Sequence, residues 1–240
     1  MYYVLHGEGE PLLLLHGFTG SSEDWTLFFE DLAREYRLVI PDLRGHGRST
    51  NPLREFNFRQ AALDVFALLD HLGIERFKAI GFSGGGNTLL HMATREPQRV
   101  AAMVLASATS YFPERARMLM RDYTRESLED EEWRRLRQTH HFGDEQIEAM
   151  MEQTRSWSDR FDDMNFTPPY LSSITARTLI IYGDRDFLYP VDIALEMYAA
   201  IPRSYLWIIP NGGHLPVFNN PLVPFTAGML PFLRGDWERE

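Results

Sequence analysis

The segment Gly81-Phe82-Ser83-Gly84-Gly85 has the residue types and spacing that most directly suggest chemistry in this chain. It follows the apolar run Phe77 to Ile80 and precedes a helical pattern through Leu89, Leu90 and Ala93. A serine on a tight turn from strand to helix holds its hydroxyl above the end of a sheet, and glycines two residues to either side let the backbone turn without a clash. The start of the helix adds aligned N–H groups where negative charge would develop. Gly81 and Gly86 also have the spacing of a phosphate-binding loop, but Asn87 stands where that loop requires lysine. A dinucleotide fingerprint is missing as well, because Phe82 and Ser83 follow Gly81.

A serine hydroxyl is a weak nucleophile alone and needs a histidine to take its proton and a carboxylate to hold that histidine. Gly183-Asp184-Arg185-Asp186 directly follows the apolar run Thr178 to Tyr182, and Gly212-Gly213-His214 follows the run Tyr205 to Ile209. Either Asp184 or Asp186 could be the carboxylate on this evidence. Loops that each follow a parallel strand can converge beyond the carboxyl end of a sheet. The chain order serine, aspartate, histidine differs from the orders of the two unrelated serine-protease folds.

The elements that would position these groups alternate along the chain. The runs Leu12 to Leu15, Leu38 to Ile40, Phe77 to Ile80, Ala101 to Ala106, Thr178 to Tyr182 and Tyr205 to Ile209 look like strands buried on both faces. Phe58, Ala61, Ala62, Val65, Leu69 and Leu72 follow a helical period, with Asn57 as N-cap, Gln60 three residues on and Gly73 closing the segment. Such alternation predicts βαβ units and a mainly parallel sheet covered on both sides. It lapses between Tyr111 and about Ser172, where charged residues such as Arg115, Arg117 and Arg121 alternate with Trp133, Phe142, Met150, Met151 and Trp157. That segment reads as a helical insertion whose charges form solvated faces. The expected organisation is a core of residues 1–110 and 173–240 with a helical cap over 111–172.

Composition narrows the function. The 240 residues carry 24 basic and 34 acidic side chains, a formal charge of −10 with no cationic surplus for nucleic acid or an anionic membrane. Without cysteine the protein can hold no disulfide, thiolate nucleophile or cysteine-based zinc site. His140 and His141 are adjacent and lack the i, i+4 partner of a zinc helix, so no metal site is expected. The first eleven residues hold no Lys or Arg, and Leu12 to Leu15 is too short for a signal peptide's apolar region or a membrane span. A soluble cytoplasmic protein, monomer or homodimer, is the expectation.

With these pieces in order, the chain resembles the α/β-hydrolase superfamily, in its group of small cap-bearing serine carboxylesterase-like enzymes. The matching segments are Leu13-Leu14-Leu15-His16-Gly17-Phe18, Pro41-Asp42-Leu43-Arg44-Gly45-His46-Gly47-Arg48-Ser49, the turn at Ser83, the Gly183 to Pro190 loop and Gly213-His214. The resemblance implies a mainly parallel sheet of seven or eight strands; only Tyr2 to His6 remains for the usual opening hairpin. It implies a catalytic triad of Ser83, Asp186 and His214, the family's G-x-x-D pattern with a following proline selecting Asp186. It also implies an oxyanion hole from the backbone N–H groups of Phe18 and Gly84, with His16, His46 and the Pro41 to Ser49 loop structural. His91, on the helix after Ser83, reads as a half-buried packing residue.

The chemistry so implied is attack of Ser83 on the carbonyl of a small-molecule ester, with no metal or organic cofactor. Serine at the elbow disfavours dehalogenase and epoxide-hydrolase chemistry, which use aspartate there, while lactones, thioesters and carbon–carbon bonds remain alternatives. The aromatic insertion, with Phe18, Trp25, Phe82, Trp157 and Phe187, suggests a pocket for an apolar acyl or aryl group. A slow-turnover small-molecule receptor on the same fold is the alternative of a different class.

Overall fold

Successive leucines in strand β2 (Glu10–Leu15) point to opposite sides of the sheet: Leu13 and Leu15 enter one apolar cluster, Leu12 and Leu14 another. This two-sided burial is why the strand is a continuous apolar run without alternation. In the computed structural model, which describes residues 1–218 and 224–238, the sheet has seven strands. The others are β1 (Tyr3–His6), β3 (Tyr36–Pro41), β4 (Phe77–Phe82), β5 (Val100–Ala106), β6 (Arg177–Gly183) and β7 (Ser204–Ile209). Their order is β1-β3-β2-β4-β5-β6-β7. β1 pairs antiparallel with β3, Tyr3 opposite Pro41, and every other pairing is parallel. The short opening segment therefore supplies one edge strand, giving the lower of the two expected strand numbers.

Helices α1 (Phe29–Ala33), α2 (Phe58–His71) and α3 (Gly84–Arg95) lie in the first half of the chain, and α8 (Val191–Ala200) and α9 (Phe225–Arg234) follow the last strands. One cluster packs α2, α3 and α8 against one sheet face, through residues such as Val65, Leu69, Leu89 and Ile193. On the other face α1 and α9 bury Leu32, Phe225, Met229 and Phe232. The expected N-cap of α2 is present, the Asn57 side chain accepting from Gln60 N–H at 2.7 Å. Gly73 follows at φ +68°, a conformation that glycine adopts without strain and that stops the helix.

Between β5 and β6 the chain forms α4 (Glu114–Arg121), α5 (Asp130–Thr139), α6 (Asp144–Trp157) and α7 (Pro168–Leu171). Trp133, Leu136, Ile147, Met150 and Met151 bury one another between α5 and α6 as a small separate cluster. Most arginines here are exposed, but Arg117 is not: it is 3% exposed and donates to the carbonyls of Phe112, Trp157, Ser158 and Arg160. A buried guanidinium is tolerated because its donors are satisfied, and it ties three turns of the segment together.

The segment is also tied to the core. The Asp163 carboxylate accepts from Phe58 N–H at 2.7 Å and Arg59 N–H at 3.1 Å, capping the start of α2. It also lies 3.4 Å from His91 Nε2. Gln153 reaches Phe56 N–H and Arg54 C=O, and Gln146 reaches the carbonyls of Gly45 and Gly47. Among the described residues no helix is long and apolar enough to cross a membrane.

Candidate active site

Ser83 occupies the turn between β4 and α3 with φ +46° and ψ −112°, strained for a residue with a Cβ. The turn is tight enough to require the flanking glycines. A Cβ on Gly81 would come within 2.6 Å of the Gly85 carbonyl, and one on Gly85 within 2.2 Å of the Leu15 carbonyl. The G-x-S-x-G spacing is thus a packing requirement of a helix start pressed against two strand ends.

The structure brings the three expected side chains together across 131 residues of chain. Ser83 Oγ and His214 Nε2 are 3.0 Å apart, and His214 Nδ1 lies 2.8 Å from Asp186 Oδ2. With its side chain fully buried, Asp186 accepts a hydrogen bond from His214 Nδ1–H, which leaves the Nε2 lone pair facing the serine hydroxyl. The other carboxylate oxygen, Oδ1, accepts from Leu188 N–H at 2.7 Å and Tyr189 N–H at 3.1 Å. Asp184, the competing carboxylate, lies 4.0 Å from Arg185. Each group stands at the carboxyl end of a parallel strand, Ser83 after β4, Asp186 after β6 and His214 after β7.

The backbones of Gly84 and Phe18 are also adjacent, for a Cβ added to Gly84 would sit 3.0 Å from Phe18 N. Gly84 begins α3, so its N–H has no acceptor within the helix. The Phe18 and Gly84 backbones therefore lie together beside Ser83, at the positive end of a helix.

Above them lies a cavity of about 740 Å³. Of the residues expected to line it, Phe18, Phe82, Trp157 and Phe187 do. Trp25 does not. It is fully buried in the cluster under α1 and α9, its ring 5.7 Å from Phe218 and 6.2 Å from Phe28. The short turn carrying Trp25 has two sides, and the sequence does not say which faces the cavity.

The sequence did not single out Phe58, Phe112, Asn87 or Tyr189, all of which line the cavity. In the sequence Phe58 only continues a helical period, and Asn87 stands where a phosphate-binding loop has lysine. Tyr189 could have been found from its place in the same tight loop as Asp186. Trp157 packs edge-on to Phe18 at 4.5 Å and near Phe58 at 5.0 Å, forming an aromatic wall. The polar side chains of Asp24, Tyr123, Glu132 and Arg135 line the same cavity. Arg135 is held by Glu132 through two hydrogen bonds of 2.7 and 2.9 Å. Burial pushes the Asp24 carboxyl up, and burial together with Glu132 pushes the Tyr123 phenol up to about 12.

The remaining histidines hold loops. His16 Nε2 accepts from Leu43 N–H at 2.9 Å, and His140 Nδ1 accepts from Gly47 N–H at 2.9 Å. His46 lies between them, its rings 5.2 Å from His16 and 6.0 Å from His140, and its burial depresses its basicity well below the usual imidazole range. His91 is more buried than expected, at 7% exposed, because Asp163 and the Phe166 ring cover it. In the Pro41 to Ser49 loop, Asp42 accepts from Ser22 N–H and Arg48 N–H, both at 2.7 Å, and Arg44 pairs with Asp64, so these charges serve loop structure. Among the described residues no group of three or more His, Asp or Glu is arranged to hold a metal ion.

Residues 10–147 match the family defined by the alpha/beta hydrolase fold. The chain belongs to this family. A soluble epoxide hydrolase from Corynebacterium sp. (strain C12) is 40% identical over 93 residues, 39% of this chain and 32% of that one. A 2-hydroxy-6-oxo-6-(2'-aminophenyl)hexa-2,4-dienoic acid hydrolase from Metapseudomonas resinovorans is 24% identical over 252 residues, covering 96% of this chain and 86% of its own. A solved meta-cleavage product hydrolase from Pseudomonas fluorescens IP01 superposes with a TM-score of 0.79 at 22% identity, over 98% of this chain and 94% of its own, a likeness of fold. The chain spans less than half the length of three curated relatives that it matches at 35–40% identity. As an alpha/beta hydrolase, the protein has relatives whose hydrolytic reactions differ, so the substrate has to be argued from the site itself.

Proposed function

We propose that this alpha/beta hydrolase is a serine hydrolase that cleaves carboxylic esters of small hydrophobic substrates, with Ser83, His214 and Asp186 as catalytic triad. The line of contacts from Ser83 Oγ through His214 to Asp186, at 3.0 and 2.8 Å, carries this reading. His214 Nε2 takes the hydroxyl proton as Ser83 Oγ bonds to the ester carbonyl carbon, and the carbonyl π electrons move onto oxygen. The N–H groups of Phe18 and Gly84 stabilise that oxyanion, an interaction worth ~3 kcal/mol per donor in acyl transfer. Collapse breaks the bond to the leaving oxygen, which receives the proton from His214. Water then repeats the sequence on the acyl-enzyme, and Asp186 stays ionised throughout.

In this reading the 111–172 segment is the cap, and Phe18, Phe82, Trp157 and Phe187 contact the substrate. The aromatic wall favours an apolar acyl group. Carbon–carbon bond hydrolysis is the second reading, favoured by the nearly full-length relative that acts on a dienoic acid. A carboxylate substrate would want a free cation in the cavity, and Arg135 there is already paired with Glu132. That pairing favours a neutral ester. The test is turnover of p-nitrophenyl esters graded by acyl length: repeated turnover lost in Ser83→Ala is expected. Turnover that survives in Ser83→Ala, or none in the intact protein, would refute the proposal.

A further inference from the structure

Tyr189 stands in the loop that carries Asp186, its main-chain N–H held by Asp186 Oδ1 at 3.1 Å. Its ring is 4% exposed, lines the cavity and meets the His214 ring edge-on at 5.3 Å. The hydroxyl borders the side chains of Ser83 and Asn87. Asn87 is fixed in orientation, because its Oδ1 accepts from Thr109 N–H at 2.9 Å, while its Nδ2 is buried with no hydrogen-bond partner. An amide NH₂ offers only hydrogens, so a phenol beside it turns its own hydrogen away, toward Ser83 and the cavity. Ser83 gives its own hydrogen to His214 and has lone pairs free to accept. Burial pushes the Tyr189 phenol far up, so it stays a donor across the working pH range.

In the tetrahedral intermediate the oxyanion faces Phe18 and Gly84, so the departing group must lie toward His214, from which it collects its proton. Tyr189 borders both His214 and Ser83 and therefore borders that departing oxygen. We propose that Tyr189 is a further catalytic residue, its hydroxyl donating a hydrogen bond to the leaving oxygen and so suiting the site to alkyl esters, whose alkoxides leave poorly. This deepens and rests on the ester-hydrolase reading. The phenol transfers no proton. It stabilises charge on the leaving oxygen until His214 protonates it, and a leaving group that carries its own charge well has little need of it.

The experiment compares kcat/KM for ethyl butyrate and p-nitrophenyl butyrate in the intact protein and in Tyr189→Phe. Tyr189→Phe is expected to lower the ratio of kcat/KM for the ethyl ester to that for the p-nitrophenyl ester about tenfold, the effect of one hydrogen bond made to the poorer leaving group in the transition state. An equal loss on both esters, or none on either, overturns the role. Should Tyr189→Phe melt early, 3-fluorotyrosine at position 189, a stronger donor, is expected to raise the ethyl-to-aryl ratio; an unchanged ratio overturns the role as well. If the intact protein cleaves neither ester, the ester reading itself fails and this role with it. That result is distinguishable, because it appears before any change at position 189.

Discussion

Arg115 reaches from the first turn of α4 to the loop that holds the carboxylate paired with His214, donating to the main-chain oxygen of Asp186 at 2.6 Å and to that of Phe187 at 2.6 Å. A side chain of the intervening helices thus grips the backbone on which Asp186 is mounted. Because the guanidinium is partly in water, its two hydrogen bonds are worth about 1 kcal/mol to the position of that loop. Arg115→Met should lower kcat on a p-nitrophenyl ester about fivefold with the melting temperature little changed. Arg115→Lys, a single donor head in place of a fork, should recover part of that loss. Steady-state kinetics beside a thermal melt would decide it, and equal kcat in all three proteins would count against a positioning role.

The strained turn at Ser83 predicts a trade of activity against stability. Glycine at position 83 would relieve the conformation at φ +46°, ψ −112°, so Ser83→Gly should be inactive yet more stable, by about 1 kcal/mol. Ser83→Ala should be equally inactive without that gain, since alanine keeps the Cβ. Chemical denaturation of both variants separates the two effects.

His140 makes stability depend on pH. Burial, with the nearby His16 adding to it, lowers its basicity from 6.5 to about 4. The unfolded chain therefore takes up a proton that the folded chain refuses. This contribution is fully present above pH 6.5 and is lost as pH falls from there to about 4, reaching about 3 kcal/mol. Gln at position 140 should flatten the stability profile across that window, which denaturant titrations at successive pH values would read. An unaltered slope would assign the dependence to other groups, His46 first.

Trp157 forms the far wall of the aromatic cavity. Trp157→Ala should cost about 3 kcal/mol in stability, because the ring is 4% exposed and packed against Phe18, Phe58 and Phe112. It should also lengthen the preferred acyl chain in a graded ester series. An unchanged chain-length optimum would mean that the acyl group lies elsewhere in the cavity.

The architecture was largely legible in the sequence, for a physical reason. A parallel strand covered on both faces has to be apolar at every position, so Leu12 to Leu15 and Thr178 to Tyr182 declared themselves, as did the glycines that Ser83 needs. Ser83 and His214 stand out in the sequence because each lies just past such a strand, whereas position alone leaves Asp184 and Asp186 equal and only the family resemblance prefers Asp186; the structure brings Ser83, His214 and Asp186 together. The cavity walls were less legible, since a side chain's direction depends on packing that no local pattern records. Trp25 and Trp157 are the same residue type in similar surroundings, yet one fills the core and the other faces the cavity. Arg117 and Asp163 look like surface charges in the sequence and are buried in the structure, the first among carbonyls and the second at a helix start.

Asp163 has a mechanical consequence. Its carboxylate is withdrawn from the amides of Phe58 and Arg59 whenever the roof of the cavity lifts as a rigid piece, which would leave the first turn of α2 frayed. Wholesale opening would therefore cost the two hydrogen bonds that Asp163 makes there. At the rim, Leu119, Phe187 and Leu215 line the cavity and are already open to water. The cavity thus meets water at this rim while its roof stays anchored to the start of α2.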